Sequence, residues 1–344
     1  MILFQSSCVG GSKEQATTPK IQVIPDTSAS RVDILIDGKP FTAFLYTDTL
    51  PALTKPVLWP VISAAGDTLT RGFPLHTVAG ERTDHPHHIG MWFDYGDVNH
   101  IDFWGNSPAM PPEDHDKLGW IRNVRILKTE SGNESGTLEY TADWLDAHGK
   151  VMLKEHTLFT FRDGDGTRII DRVTTLTAQE DTIVFYDTKE GMMAIRVTHA
   201  LELPSKRALT FTDDHGNVTV VGGAEDTIAN GDYLTSEGIT GKEAWGKRAA
   251  WVCLHGKVNG NEESIAIFDH PGNPGYPTYW HARGYGLFSV NPLGQKTFSK
   301  GKEILNLTLA PGESATFRYR VMIKSGKVTA DDLNKEYELY SRKE

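Results

Sequence analysis

The chain has 344 residues, 39% hydrophobic and 23% charged, which is ordinary globular composition and enough to bury a full core. Its formal net charge is −10, and no Lys/Arg run supplies the basic face that nucleic acid requires, so nucleic acid is excluded as a partner. No stretch reaches the ~18 consecutive apolar residues of a membrane-spanning helix, which excludes a transmembrane helical protein.

Residues 1–20 read as a tether. Ile2-Leu3-Phe4-Gln5-Ser6-Ser7-Cys8, followed by a polar Gly/Ser/Lys/Glu segment, resembles the end of a lipoprotein signal with Cys8 as the acylated residue. The apolar run is shorter than the usual ~7–15 residues and lacks a basic start. On this reading the protein is extracytoplasmic, in the periplasm or lipid-anchored at the outer membrane. The other cysteine, Cys253, lies in the apolar run Ala249–Leu254 and reads as a buried small hydrophobe, so no disulfide framework is expected.

From Ile21 onward the pattern is strand-like. Arg31–Tyr46 reads as two strands about an Asp37-Gly38 turn, a strong hairpin signal. Further β-rich runs cover 121–129, 136–144, 151–161, 168–177, 182–186, 194–201, 218–221, 249–255, 264–269, 284–290 and 314–323, separated by Gly, Asn and Asp clusters. One segment reads as a helix, Ala330–Ser341, with Asp331 and Asp332 at its start and Leu333, Tyr337 and Tyr340 at helical spacing. The expectation is an all-β fold: a large two-sheet antiparallel β-sandwich with a short C-terminal helix, residues 21–344 forming one domain. Trp59, Trp144 and Trp251 read as core.

Six of the thirteen histidines fall between residues 76 and 115: His76, His85, His87, His88, His100 and His115. Period two predicts a strand with Ile89, Met91, Phe93 and Tyr95 on one face and His88, Gly90, Trp92 and Asp94 on the other. After a Gly96-Asp97 turn a second strand is expected to present Val98, His100, Asp102 and Trp104, setting His, Asp and Trp side by side. A second constellation follows at Asp269 and at Tyr279, His281, Arg283 and Tyr285, and a third at Asp187-Thr188-Lys189-Glu190. Imidazole beside carboxylate moves protons near neutral pH. Exposed indole and phenol faces stack on sugar rings while Asp, Asn and Arg meet hydroxyls. The mixture is the chemistry of a carbohydrate cleft. His85-Pro86-His87-His88 also superficially matches His-x-His metal spacing, which leaves a transition metal at His85, His87 and His88 as an alternative; no other cofactor is expected.

His85–Phe93, Gly96-Asp97-Val98-Asn99 and Asp102-Phe103-Trp104, with a middle block at 191–197 and later blocks at 266–271, 277–281 and 286–288, resemble the bacterial family catalogued as "methane oxygenase PmoA". The resemblance spans about residues 30–325. A methane monooxygenase subunit of that name is embedded in membrane, unlike anything this sequence encodes. The resemblance implies a sugar-catabolic setting, and the long β architecture is similar to the galactose-mutarotase-like supersandwich. The mutarotase motifs are not found, so no catalytic role is carried over, and fold analogy assigns no function by itself.

The reading is therefore an enzyme that acts on a sugar or oligosaccharide by His/carboxylate acid–base chemistry, as glycoside hydrolase, lyase or epimerase. His88, His100, Asp94, Asp102, Glu190 and His281 are the candidate catalytic groups. Trp92, Asn99, Trp104, Lys189, Asp269, Tyr279 and Arg283 are the candidate substrate binders. The alternative from another class is a non-catalytic glycan-binding lipoprotein.

Overall fold

A computed structural model describes residues 18–213 and 216–342; Cys8 and the tether up to residue 17 lie outside the described residues. Two eight-stranded sheets, antiparallel throughout, form a sandwich. The first runs in the order Ile21–Asp26, Arg31–Ile36, Lys39–Leu45, Val57–Leu58, Met91–Tyr95, Gly191–Arg196, Leu287–Asn291, Tyr279–Ala282. The second runs Asp232–Thr235, Trp251–Val258, Asn261–Asp269, Ser314–Ser325, Thr167–Ala178, Val151–Gly164, Gly136–Leu145, Trp120–Glu130. The expected hairpin at 31–46 closes on Asp37 and Gly38, both left-handed at φ +50° and +72°, as a two-residue hairpin turn demands.

The inner faces meet in one apolar core. Phe93 of the first sheet lies 5.7 Å from Phe317 and 6.3 Å from Trp144 of the second, and Phe44 lies 4.6 Å from Tyr140. Burying each such ring contributes ~1.5–3 kcal/mol. An Arg172–Glu155 ion pair of 2.8 Å is buried in that core, with the guanidinium 4.6 Å above the Phe93 ring. Glu155 also accepts from Tyr140 Oη and Trp144 Nε1, so its oxygens are satisfied.

The outer faces are covered differently. On the second sheet, Trp251, Cys253, Ala266, Phe268 and Met322 are capped by Leu333 and Tyr340 of the helix Ala330–Ser341, which begins with a reciprocal Thr329/Asp332 capping box. On the first sheet, loops lay Leu53, Ile89 and Trp104 over Trp92, Ala194 and Leu287. This loop-covered face carries the candidate site.

The strand Met91–Tyr95 divides as expected for Met91, Phe93 and Tyr95, which enter the core. Ile89 does not join them: Gly90, at φ +57°, breaks the alternation and turns Ile89 to the outer face. The expected second strand over 98–104 is absent. Val98 and Ile101 instead bond each other across a two-residue turn whose members, Asn99 and His100, are left-handed at φ +50° and +67°. The expected 194–201 strand stops at Arg196, and His199–Leu201 is a turn of 3-10 helix. Trp144 and Trp251 are buried, whereas Trp59 is half-buried and lines a cavity.

Candidate active site

Three strand pairings assemble the floor. Trp92 pairs with Ala194, Ala194 with Ser289, and Ser289 with His281; one step along, Arg196 pairs with Leu287. Paired residues of an antiparallel ladder point to the same side, with strands ~4.8 Å apart. The floor therefore carries an indole at one end, an imidazole at the other, and two small side chains between.

Above it the loop 82–90 is held by one side chain. Arg71 is buried, and its guanidinium donates to the carbonyls of Arg82 (3.3 Å), Asp84 (2.6 Å), His85 (2.9 Å) and His88 (3.0 Å). Such anchoring maintains His85 at φ +45°, a conformation that costs ~1–3 kcal/mol and that clusters at functional positions. Asp84 accepts from Arg71 at 3.0 Å and Arg196 at 2.6 Å through Oδ1, and its Oδ2 lies 3.2 Å from His85 Nδ1. Burial works to raise the Asp84 pKa, but the His85 hydrogen bond and the two guanidinium charges outweigh it and hold the carboxyl below its ordinary range.

Four rings stack from the surface inward. Tyr285 and His85 are parallel within 5° at 5.2 Å, His85 and His88 within 4° at 4.9 Å, and His88 and Trp92 within 20° at 5.2 Å. With both faces covered, the exposed His85 ring offers its edge to solvent. Arg283 extends the stack outward, 5.5 Å over Tyr285 and 5.6 Å over Trp245.

Hydrogen-bond partners give three of these histidines different chemistry. Arg196 has only donors, so its 3.1 Å contact makes His88 Nδ1 an acceptor and puts the His88 proton on Nε2, which has no partner among the described residues. Burial, with the charges of its neighbours, pushes the His88 pKa well down, so it is a neutral donor and not a base. His281 is the reverse. Its Nδ1–H donates to the Lys189 carbonyl at 3.0 Å, leaving the lone pair on Nε2, and burial beside Lys189 and Arg283 lowers its pKa to about 3. In His85, Nδ1–H points to the Asp84 carboxylate, and Nε2, at the site's mouth, has no hydrogen-bond partner among the described residues.

That mouth opens on a cleft of about 990 Å³ lined by Asp84, His85, Phe211, Trp245, Arg283 and Tyr285 among others. Arg82 also lines it, paired with Glu202 at 2.7 Å.

Several expected site residues are elsewhere. His100 is exposed and stacks on Tyr186 at 4.4 Å, outside this ring stack, because its turn carries it away. Asp102 closes a turn by accepting from Gly105 N at 2.8 Å, and Asn99 spends its amide on Thr182 O and Val184 N. Asp94 is fully buried under Lys55, whose ammonium is 2.5 Å away, and burial pushes its carboxyl up to about 7. Asp269, also raised to about 7 by burial, belongs to the second sheet and anchors Asn273 and Thr278. Tyr279 packs on Phe298 at 5.5 Å and beneath Arg248. Trp104 backs His88 edge-on at 5.6 Å. Glu190 pairs with Lys189 and lies 3.9 Å from His281 Nδ1.

The metal alternative meets a geometric obstacle. The parallel stacking of His85 on His88 keeps their in-plane lone pairs from converging on one ion, His88 Nδ1 is taken by Arg196, and no metal-holding group of three or more His, Cys, Asp or Glu occurs among the described residues.

Arg71, Arg196 and Lys55, which brace the candidate site, are not singled out by the sequence, and spacing alone offers His85 only as a metal ligand. The available signal for Arg196 is a charge closing the apolar run Gly191-Met192-Met193-Ala194-Ile195, whereas Arg71 follows the mostly polar Gly66-Asp67-Thr68-Leu69-Thr70 and has no such signal.

A protein-family comparison matches residues 31–338 to a family of unknown function, DUF6807. The chain belongs to this family. No curated protein matches it. Among solved structures it is similar to the galactosidase domain of the α-galactosidase–sucrose kinase AgaSK, at 10% identity and TM-score 0.43, covering 88% of this chain and 42% of that one. It is similar to a galactose mutarotase-like protein from Clostridium acetobutylicum, at 10% identity and TM-score 0.40, covering 90% and 99%. A putative aldose 1-epimerase from Escherichia coli gives 10% identity and TM-score 0.30, covering 89% and 99%. The chain spans about two fifths of the AgaSK chain, and likenesses this distant carry no argument about chemistry. No helix among the described residues is long and apolar enough to cross a membrane.

Proposed function

We propose that this chain is an enzyme acting on a sugar or glycoside, with His85 as the acid–base group and Asp84 as the carboxylate that orients it. The observation that carries this reading is the Asp84–His85 pair, 3.2 Å apart, at the mouth of a cleft of about 990 Å³ walled by Tyr285, Trp245 and Arg283. His85 Nε2 would take a proton from a sugar carbon or hydroxyl and return it. The Arg283 guanidinium would face negative charge as it develops, and Trp245 would offer a flat apolar surface to a ring. His88 and Trp92 stiffen the stack from below.

The carboxylates favour one of the three reaction classes less. Paired-carboxylate hydrolysis needs two carboxyl groups facing one bond. Asp94 is buried under Lys55, Asp102 closes a turn, and Asp269 sits in the other sheet. Proton transfer at one sugar carbon, as in a lyase or epimerase, uses the groups that are present. On the Cys8 reading of the sequence, the substrate would be met outside the cytoplasm.

The test is a panel of aryl glycosides, oligosaccharides and 3-keto-glycosides incubated with the protein and with His85→Gln, with products followed by mass spectrometry and NMR. Conversion reduced roughly 10²–10⁴-fold in kcat/KM by His85→Gln is the expected result. Equal conversion by both proteins would refute the role of His85. Saturable binding without conversion, retained in the variant, would make this a glycan-binding protein.

A further inference from the structure

A second cavity, about 1290 Å³, is larger than the cleft at His85 and shares a wall with it. Asn230 lines both. Two more segments contribute to both sides: Glu81 lines the larger cavity and Arg82 the cleft, and His199 and Ala200 line the larger cavity while Leu203 and Ser205 line the cleft. The ridge is built rather than incidental. The Asn230 amide donates to the carbonyls of Ala200 (3.1 Å), Ile228 (2.8 Å) and Lys257 (2.9 Å), and its Oδ1 accepts from Lys257 N at 2.5 Å. A surface ridge is thereby fixed to both the 3-10 turn and the second sheet.

The lining indicates what would lie there. Trp59 is half-buried against the cavity, and its Nε1–H is already given to the Arg71 carbonyl at 3.0 Å, so its ring is what remains to meet a ligand. The charged lining balances, Glu81 and Glu262 against Lys257 and Lys327, which suits neither a polyanion nor a polycation. His76 and His255 add polar groups that a lipid chain would leave unsatisfied. Small-ligand pockets hold roughly 300–1,000 Å³, so the cleft alone is at the top of that range and the second cavity is beyond it.

We infer that the two cavities form one extended site, and that the substrate is a neutral oligosaccharide of several units whose reacting end lies at His85 while the rest crosses the Asn230 ridge and stacks on Trp59. This rests on the sugar reading of the cleft and adds chain length to it.

The experiment measures affinity by calorimetry, and kcat/KM wherever conversion is seen, for xylo-, cello-, malto- and galacto-oligosaccharides of two to six units. The full chain is compared with Trp59→Ala and with Ile228→Trp, the latter filling the groove from an exposed position. In the parent, affinity for at least one series should rise tenfold or more from the dimer to the hexamer, with the gain in KM rather than kcat. The hexamer-to-dimer ratio should fall towards one in both variants. Turnover of short sugars with no gain on lengthening would overturn the extended site and leave the acid–base reading standing. Length-dependent binding without any turnover would do the opposite. No saturable binding of any series would overturn both. A ratio unchanged in both variants would remove Trp59 and the groove from the site.

Discussion

Replacing Asp84 with asparagine removes the carboxylate that sits between two buried guanidiniums. Arg71 and Arg196 approach its Oδ1 at 3.0 and 2.6 Å, and their side chains are 1% and 0% exposed. Leaving a buried charge without its partner costs about 3–5 kcal/mol, whereas a surface pair would cost under about 1. Arg71 keeps its four carbonyl partners, so most of the loss should fall on Arg196. Urea unfolding of Asp84→Asn should therefore show a lower midpoint at unchanged slope, equivalent to about 3–5 kcal/mol. A double variant, Asp84→Asn with Arg196→Met, should lose less than the sum of the singles by about 1–3 kcal/mol, since the second change removes the stranded charge. The pH dependence has a fixed sign. A carboxyl whose folded pKa is depressed contributes stability that is present above the unfolded value, ~3.9, and lost as pH falls through the folded value. The parent should thus lose stability below about pH 4 more steeply than Asp84→Asn. A single-variant loss below about 1 kcal/mol, or singles that simply add, would refute the claim that this carboxylate neutralises the two buried guanidiniums.

Gly90→Ala should cost at least about 2 kcal/mol in urea unfolding, because φ is +57° there and a Cβ would sit 2.3 Å from the Leu58 carbonyl oxygen; a neutral result would mean the loop shifts freely. Burial disfavours the charged form of His199, but Glu202 (3.4 Å, itself paired with Arg82) and Asp226 (3.0 Å) outweigh that and raise its pKa. Its stabilisation is present below the unfolded pKa of ~6.5 and lost as pH rises through the folded one, so His199→Gln should destabilise more at pH 6 than at pH 9; equal losses would contradict the pairing. Cys253 borders the larger cavity but is buried and its thiol is pushed up to about 12, so a thiol reagent should label the native protein at least about tenfold more slowly than the denatured one; equal rates would contradict the burial.

Periodicity carried most of the fold. The helix Ala330–Ser341 and the strand Val218–Val221 occur at the residues expected, and other strands shift by a few residues at their ends, because alternating burial is a local property of the chain. The site was less legible. Asn99 and His100 read as strand residues since their polarity fits the alternation, yet left-handed backbone at both makes a turn that no side-chain pattern announces. The His85–His88 motif stands out in the sequence, but its geometry depends on Arg71 and Arg196, which arrive from positions far apart in sequence. Which nitrogen of each histidine holds its proton is set by those partners, and spacing contains no record of them. Trp59 reads as core for the same reason: residue type alone does not say which side of an indole faces a groove.

The floor of the site joins Trp92, Ala194, Ser289 and His281 as neighbours in the sheet, although about a hundred residues of chain separate the first two strands and another ninety the next. During synthesis the strand Met91–Tyr95 waits for the strand Gly191–Arg196, and both wait for residues 279–291. Until Asn291 has emerged, an apolar outer face and unpaired sheet edge stay open to other chains. Translation stalled or truncated before that residue should yield aggregates rather than a smaller working protein, so the same arrangement that lets distant segments share one candidate site also leaves the nascent chain open to aggregation.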